Sequence, residues 1–306
     1  MAESTSILVL GAGELGMAVL RNLAARAHQA PGMSVSVLLR PSTIASSDPR
    51  KQQDIDELRS LGIELVQGEL ASDSPAELSA IFKRFHTVIS CTGFVTGSGF
   101  QRKLTRAVLD AGVPRYIPWQ FGVDYDVIGR GSAQDLFDEQ LDVRDLLRSQ
   151  DRTAWIIIST GMFTSFLFEP SLGVVDLTQD TVHALGSWDN SVTVTTPEDI
   201  GKLTAEIVFA EPPIRNQVVY TAGDTITYGR LADIAETASG RALRREVWTV
   251  PELKAELAKD PDNAIKKYRV VFAEGRGVAW DKNRTFNAQR GIEVVDVQRW
   301  ARENLN

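Results

Sequence analysis

Apolar residues along this chain fall into short continuous runs separated by helical stripes, and the two alternate. The first run is Ile7-Leu8-Val9-Leu10; behind it Leu15, Val19, Leu20, Leu23, Ala24 and Ala27 recur at helical spacing up to a break at Pro31-Gly32. The alternation continues through Val35-Ser36-Val37-Leu38-Leu39, a short helix over 55–61, Ile63-Glu64-Leu65-Val66, a helix over 75–82 and Thr87-Val88-Ile89-Ser90. A helix over 100–111, closed by Gly112 with Pro114 beyond, leads to Arg115-Tyr116-Ile117, a helix over 133–148 and Trp155-Ile156-Ile157-Ile158. Buried runs alternating with amphipathic helices predict βαβ units, hence an α/β Rossmann fold with a doubly wound parallel sheet.

Beyond residue 159 the regularity loosens. Val192-Thr193-Val194-Thr195 alternates like a strand, and Thr196 stands as an N-cap before Pro197 and the first-turn carboxylates Glu198 and Asp199. A strand over 217–221 and helices over 228–239, 250–259 and 295–305 complete the pattern. The predicted organisation is a Rossmann domain over 1–159 and a smaller C-terminal α+β substrate lobe over 160–306, with about 190–222 returning to the Rossmann side.

Composition narrows the function. The chain has 306 residues, 43% of them hydrophobic, enough for a large core, and a net charge of -7 that argues against a nucleic-acid partner. A single cysteine excludes an intrachain disulfide, and three histidines offer no zinc-ligand spacing. No basic leader and no apolar run of membrane length are seen, so the expectation is a cytoplasmic protein without a membrane partner, as a monomer or homodimer.

The candidate chemistry begins at Gly11-Ala12-Gly13-Glu14-Leu15-Gly16, between the first strand and the first helix. Gly11 permits the tight turn, Gly13 lets backbone approach a pyrophosphate, Gly16 lets helix pack on strand, and the helix N-terminus faces the phosphates. At the end of the second strand, where NAD-specific units carry an acid for the ribose hydroxyl, stands Arg40, which favours a 2′-phosphate and so NADP; Lys51 is a candidate second positive charge. Small residues Cys91-Thr92-Gly93 with Phe94 follow the fourth strand, where ligands of such sheets bind, and Cys91 reads as packing rather than as a nucleophile.

Pro118-Trp119-Gln120-Phe121-Gly122-Val123-Asp124-Tyr125-Asp126, after the fifth strand, is rich in aromatics and carboxylates and is the expected place for substrate. Gln120, Phe121, Gly161 and Phe163 are expected beside the cofactor, and Trp119, Phe121, Tyr125, Phe163 and Phe166 are candidate apolar walls. In the next helix Leu136, Gln140, Val143 and Leu147 share one stripe, so Gln140 points inward and needs a partner or a ligand.

Together these motifs, with Arg40-Pro41-Ser42, Arg115-Tyr116-Ile117-Pro118, Phe121-Gly122-Val123-Asp124, Leu136-Phe137-Asp138-Glu139-Gln140 and Glu198-Asp199-Ile200-Gly201, resemble the isoflavone-reductase-like and NmrA-like branch of the atypical short-chain dehydrogenases/reductases, fungal members most of all. The resemblance covers most of the chain. It implies NADPH/NADP on a Rossmann lobe and a small aromatic or heterocyclic metabolite, as in secondary metabolism, reduced in the cleft.

One position departs from the family. Its reductases carry a lysine in a Phe-x-x-Lys pattern after the Phe-Gly-x-Asp loop, whereas this chain has Phe137-Asp138-Glu139-Gln140. Glutamine neither releases a proton nor carries charge. No tyrosine has a lysine four residues later either. Three readings stand: a reductase whose proton comes from Tyr125, Asp124, Asp126 or His183; a reductase of an already cationic acceptor such as an iminium, with Gln140 orienting it; or a non-catalytic NADP-binding redox sensor.

Overall fold

The structure, a computed structural model, describes residues 5–30, 32–93 and 97–305. Its first part runs β1 (Thr5–Leu10), α1 (Glu14–Ala27), β2 (Met33–Leu39), α2 (Pro41–Ile44), α3 (Pro49–Ser60), β3 (Glu64–Gln67), α4 (Pro75–Phe82), β4 (Thr87–Ser90), α5 (Phe100–Asp110), β5 (Arg115–Ile117), α6 (Tyr125–Ile128), α7 (Leu136–Arg148) and β6 (Ala154–Ser159). There follow β7 (Met162–Phe163), β8 (Val175–Asp176), β9 (Thr181–Leu185), β10 (Ser191–Thr195), α8 (Pro197–Val208), β11 (Gln217–Tyr220), β12 (Asp224–Thr227), α9 (Tyr228–Ser239), β13 (Arg244–Trp248), α10 (Val250–Lys259), α11 (Ala264–Glu274), α12 (Phe286–Gln289) and α13 (Val297–Asn304).

The main sheet has the order β11-β6-β5-β4-β1-β2-β3, and the pairs β2–β3, β1–β2, β1–β4, β4–β5 and β5–β6 are all parallel. Read from β3, this is the 3-2-1-4-5-6 order of a Rossmann sheet, whose switch point lies between β1 and β4. The continuous apolar runs are explained by burial on both faces. On one face Leu8, Leu10, Leu38, Val88, Tyr116 and Ile157 pack with Leu78, Phe82, Leu104, Val108, Val143 and Leu147 of α4, α5 and α7. Elsewhere in this unit α8 meets α1 at Gly201, where any Cβ would overlap the Ala18 backbone; that contact accounts for the glycine in Glu198-Asp199-Ile200-Gly201.

By compactness the chain divides into a first unit, Met1–Gln120, Asp142–Ile158 and Ile200–Val218, and a second, Phe121–Leu141, Ser159–Asp199 and Val219–Asn306. The chain enters the second unit at Phe121 and leaves it within α7. The second unit has two three-stranded sheets, β12-β10-β7 and β13-β9-β8, and its own core, including Val123, Tyr125, Phe137, Val182, Val194, Tyr228 and Phe272. Strands β9, β12 and β13 and helix α11 were not foreseen as elements. The polar segment at 46–54 turns helical from Pro49, because the Asp48 side chain accepts hydrogen bonds from the Arg50 and Lys51 N–H groups.

Candidate active site

The glycine turn sits at the carboxyl end of β1. Gly11 has φ +89°, and its N–H donates to Leu38 O at 3.3 Å, tying the turn to β2. A Cβ on Gly16 would overlap Gly11 O, so helix and turn are in backbone contact there. Gly13 differs from both: it is exposed, and a Cβ on it would meet nothing within 4 Å. It is the N-cap of α1 and supplies no side-chain cap, so the positive end of the helix is open at this point. Leu15 turns into the core, while Glu14 is exposed.

At the end of β2, Arg40 caps α2 through its carbonyl, which accepts from the Thr43 and Ile44 N–H groups at 2.9 and 3.1 Å. Its guanidinium is exposed and has no partner among the described residues. The Lys51 backbone is fixed by the Asp48 cap, and its side chain is exposed.

On the other side of β1, the Cys91 N–H and the Thr92 hydroxyl both donate to Leu10 O, at 3.0 and 3.2 Å. Burial pushes the Cys91 thiol up, away from any thiolate role. Gly93 lies under the indole of Trp119, whose Cζ2 is 3.2 Å from where a Cβ would stand. Phe94 lies outside the described residues.

Other expected site residues are buried or half-buried. Gln120 is fully buried, and its Oε1 accepts from Nε of Arg144, itself fully buried, at 2.8 Å within the first unit. Phe121 is 6% exposed, in the packed interior. Gly161 has φ +73° and would overlap Thr193 O with any Cβ, so the protein's own backbone requires a glycine there. Phe163 is half-buried in β7 and pairs with Thr195.

Three of the candidate proton donors, Asp124, Tyr125 and His183, have structural contacts in the second unit. Asp124 is the N-cap of α6, accepting from the Val127 N–H at 3.3 Å and from the Tyr220 hydroxyl at 2.7 Å. Tyr125 is 3% exposed and meets Phe137 edge to face at 5.0 Å; its hydroxyl is 2.6 Å from where a Cβ of Gly122 would stand, which accounts for the glycine of the Phe-Gly-Val-Asp motif. Gln140 is inward as expected, and fully buried.

His183 is held by contacts within β9's own surroundings. Its Nδ1 is 2.7 Å from Gly173 O, its Nε2 is 3.4 Å from Glu246, and its ring stacks on Trp248 at 3.9 Å. Both ring nitrogens are engaged, so the histidine fastens β9 to its surroundings. Trp248 also meets Arg269, whose guanidinium carbon is 4.4 Å from its ring centroid.

Two buried polar residues escaped sequence reading. Arg144 follows Gln140 by one helical turn, and Gln101 opens α5 on the same side as Leu104, Thr105 and Val108. In each case the available signal was a polar residue on an apolar stripe. Among the described residues no group of three or more acidic, histidine or cysteine side chains could hold a metal, and no helix is long and apolar enough to cross a membrane.

A 3-2-1-4-5-6 parallel sheet with an open, glycine-lined helix N-terminus at its switch point defines a Rossmann fold. The NmrA-like family model matches residues 3–290, and the chain belongs to this family. It is 48% identical over 301 residues, 98% of either chain, to an NmrA-like family domain-containing oxidoreductase of Gibberella moniliformis. Isoflavone reductase homolog P3 of Arabidopsis thaliana is 25% identical, over 96% of this chain and 94% of its own. In fold, the chain matches the leucoanthocyanidin reductase–NADPH complex from Vitis vinifera with a TM-score of 0.80 at 20% identity, covering 98% of this chain and 99% of the other. It is thus an oxidoreductase of the isoflavone reductase and NmrA-like group.

Proposed function

We propose that this protein is an NADPH-dependent reductase of a small aromatic or heterocyclic metabolite whose acceptor is an imine or iminium. The observation that carries the cofactor half is the open ground at Gly13, flanked by an exposed Arg40 with no partner among the described residues. These groups fit a 2′-phosphorylated dinucleotide. The α1 N-terminus with Gly11 and Gly13 would hold the diphosphate, Arg40 with Lys51 the 2′-phosphate, and Thr92 and Gly93 would border the other half. NADPH, when bound, supplies a hydride from the dihydronicotinamide ring. Named relatives support the same reading, the Vitis vinifera reductase as an NADPH complex and a second structural neighbour as a complex with NADP+ and pinoresinol.

The acceptor half rests on the proton. Gln140 stands where the family resemblance expects a lysine and has no proton to release at accessible pH. Asp124 accepts two hydrogen bonds, Tyr125 is packed against Phe137, and both nitrogens of His183 are engaged. An acceptor that arrives already protonated requires no proton from these three side chains. The role left to Gln140 is to orient that acceptor by hydrogen bonding.

The test is NADPH consumption against matched imines and carbonyls, with wild type and Gln140→Lys. Turnover of imines by wild type, with carbonyl turnover gained only in Gln140→Lys, is expected. Turnover of neutral carbonyls by wild type removes the iminium reading. Failure to turn over any substrate, together with tight preference for one cofactor oxidation state, replaces the enzyme with a redox-sensing regulator; the absent lysine is the observation that favours this second reading.

A further inference from the structure

The loop after β4 is held by Gln101, a side chain that has no part in the motifs above. Gln101, 2% exposed in the first turn of α5, donates from Nε2 to Thr92 O at 2.8 Å and to Gly93 O at 3.1 Å. Its backbone is fixed in turn, because the Thr105 hydroxyl donates to Gln101 O at 2.8 Å. The Trp119 indole also covers Gly93. Thr92 closes the chain of contacts to the glycine turn: its hydroxyl donates to Leu10 O, and its methyl carbon is 3.5 Å from where a Cβ of Gly11 would stand.

A trans peptide directs N–H opposite to C=O. With Thr92 O drawn onto Gln101, the Gly93 N–H points away from α5, and it has no acceptor among the described residues. Strand order then decides which part of a dinucleotide it can serve. β4 and β2 flank β1 on opposite sides, and Arg40 ends β2. If the adenosine 2′-phosphate is on the β2 side, Gly93 borders the nicotinamide half.

We propose that Gln101 is a positioning residue for the nicotinamide half of the cofactor, acting by orienting the Thr92–Gly93 peptide. This rests on the NADPH reading above. Gln101 needs to reach no ligand: its side-chain amide aims a backbone donor. Replacing it should therefore weaken only ligands that extend past the diphosphate.

The experiment titrates the full chain with NADPH, followed by dihydronicotinamide fluorescence, and with 2′,5′-ADP, which carries the adenosine half alone, by calorimetry. Gln101→Met keeps the length without donors, and Gln101→Glu replaces the donors with acceptors facing two carbonyls. For Gln101→Met, about a tenfold rise in the Kd for NADPH is expected, with 2′,5′-ADP changed less than about twofold; Gln101→Glu should lose more. Gly93→Ala perturbs the same peptide from the Trp119 side and should give the same split, which keeps the test available if a Gln101 variant does not fold. Equal weakening of both ligands, or weakening of neither, overturns the role of Gln101. Absence of both NADPH and 2′,5′-ADP binding in wild type overturns the cofactor reading itself and the inference with it.

Discussion

Two glycine-bearing strand ends, one in each unit, look alike in sequence and differ in what surrounds them. At the glycine turn of the first unit, Gly13 is exposed with nothing within 4 Å of a Cβ. At Ser159-Thr160-Gly161 of the second, Gly161 has φ +73° and lies against Thr193 O, while the Thr160 and Gly161 N–H groups both donate to Gly122 O at 3.0 Å. The same residue type marks room for a ligand in one place and close backbone packing in the other. Charged groups follow the same division: the Arg40 side chain has no partner among the described residues, whereas both nitrogens of His183 are engaged. What separates a binding residue from a structural one here is whether the protein itself already satisfies it.

The contrast is broken most directly at the glycines. Gly161→Ala is expected to destabilise the protein by roughly 1–3 kcal/mol through overlap, with the left-handed φ adding strain. Gly13→Ala should leave thermal unfolding within about 0.5 kcal/mol of wild type and weaken NADPH binding. Melting curves with cofactor titrations check both, and a destabilised Gly13→Ala would end the distinction.

Next in size, Arg40→Ala should weaken NADPH about tenfold or more while changing NADH by less than about twofold, since a charge-assisted phosphate contact is lost from one ligand only. Equal losses for the two cofactors would remove the 2′-phosphate assignment. His183→Gln is expected to cost about 1 kcal/mol of stability through weakened hydrogen bonding and stacking, and to leave kcat unchanged; a large fall in kcat at unchanged stability would return the histidine to the catalytic candidates.

The smallest effect is on acid stability. Glu77 closes a capping box with Ser74 on α4, and the hydrogen bonds from the Ser74 backbone and hydroxyl hold its carboxyl below the usual value of 4.5. A carboxyl lowered in the folded state contributes stability that is present above its unfolded value and lost as pH falls through the folded one. Glu77→Gln, which can still accept those bonds, should therefore make the acid limb of a stability-versus-pH curve shallower. An unchanged limb would show that the cap does not contribute to acid unfolding.

Much of the first unit was legible in the chain. β1, β4, β5 and the helices at 75–82 and 100–110 fall within a residue or two of their expected bounds, because a doubly buried strand and an amphipathic helix each leave a periodic signature. The second unit was read less well. Its strand β13 begins Arg244-Arg245-Glu246, charged residues of an edge strand, so no apolar run announces it. In the site, the inward direction of Gln140 was visible as a break in an apolar stripe. The engagement of Gln120 by Arg144 was not, because the two are 24 positions apart and neither constrains the other locally.

Taken alone, the sequence determined the Rossmann alternation, the glycine turn, the basic residue ending β2 and the inward glutamine on an apolar stripe. All four are properties of neighbouring residues: periodicity, backbone freedom and side-chain chemistry. Tertiary structure decided which polar groups remain available. It buried Gln120 against Arg144, engaged His183, set Gly161 against Thr193, and turned Gln101 onto the carbonyls of Thr92 and Gly93. Each of these depends on burial and on hydrogen-bond partners brought together only by folding, and a side chain's chemistry is open to a ligand only where folding leaves it so.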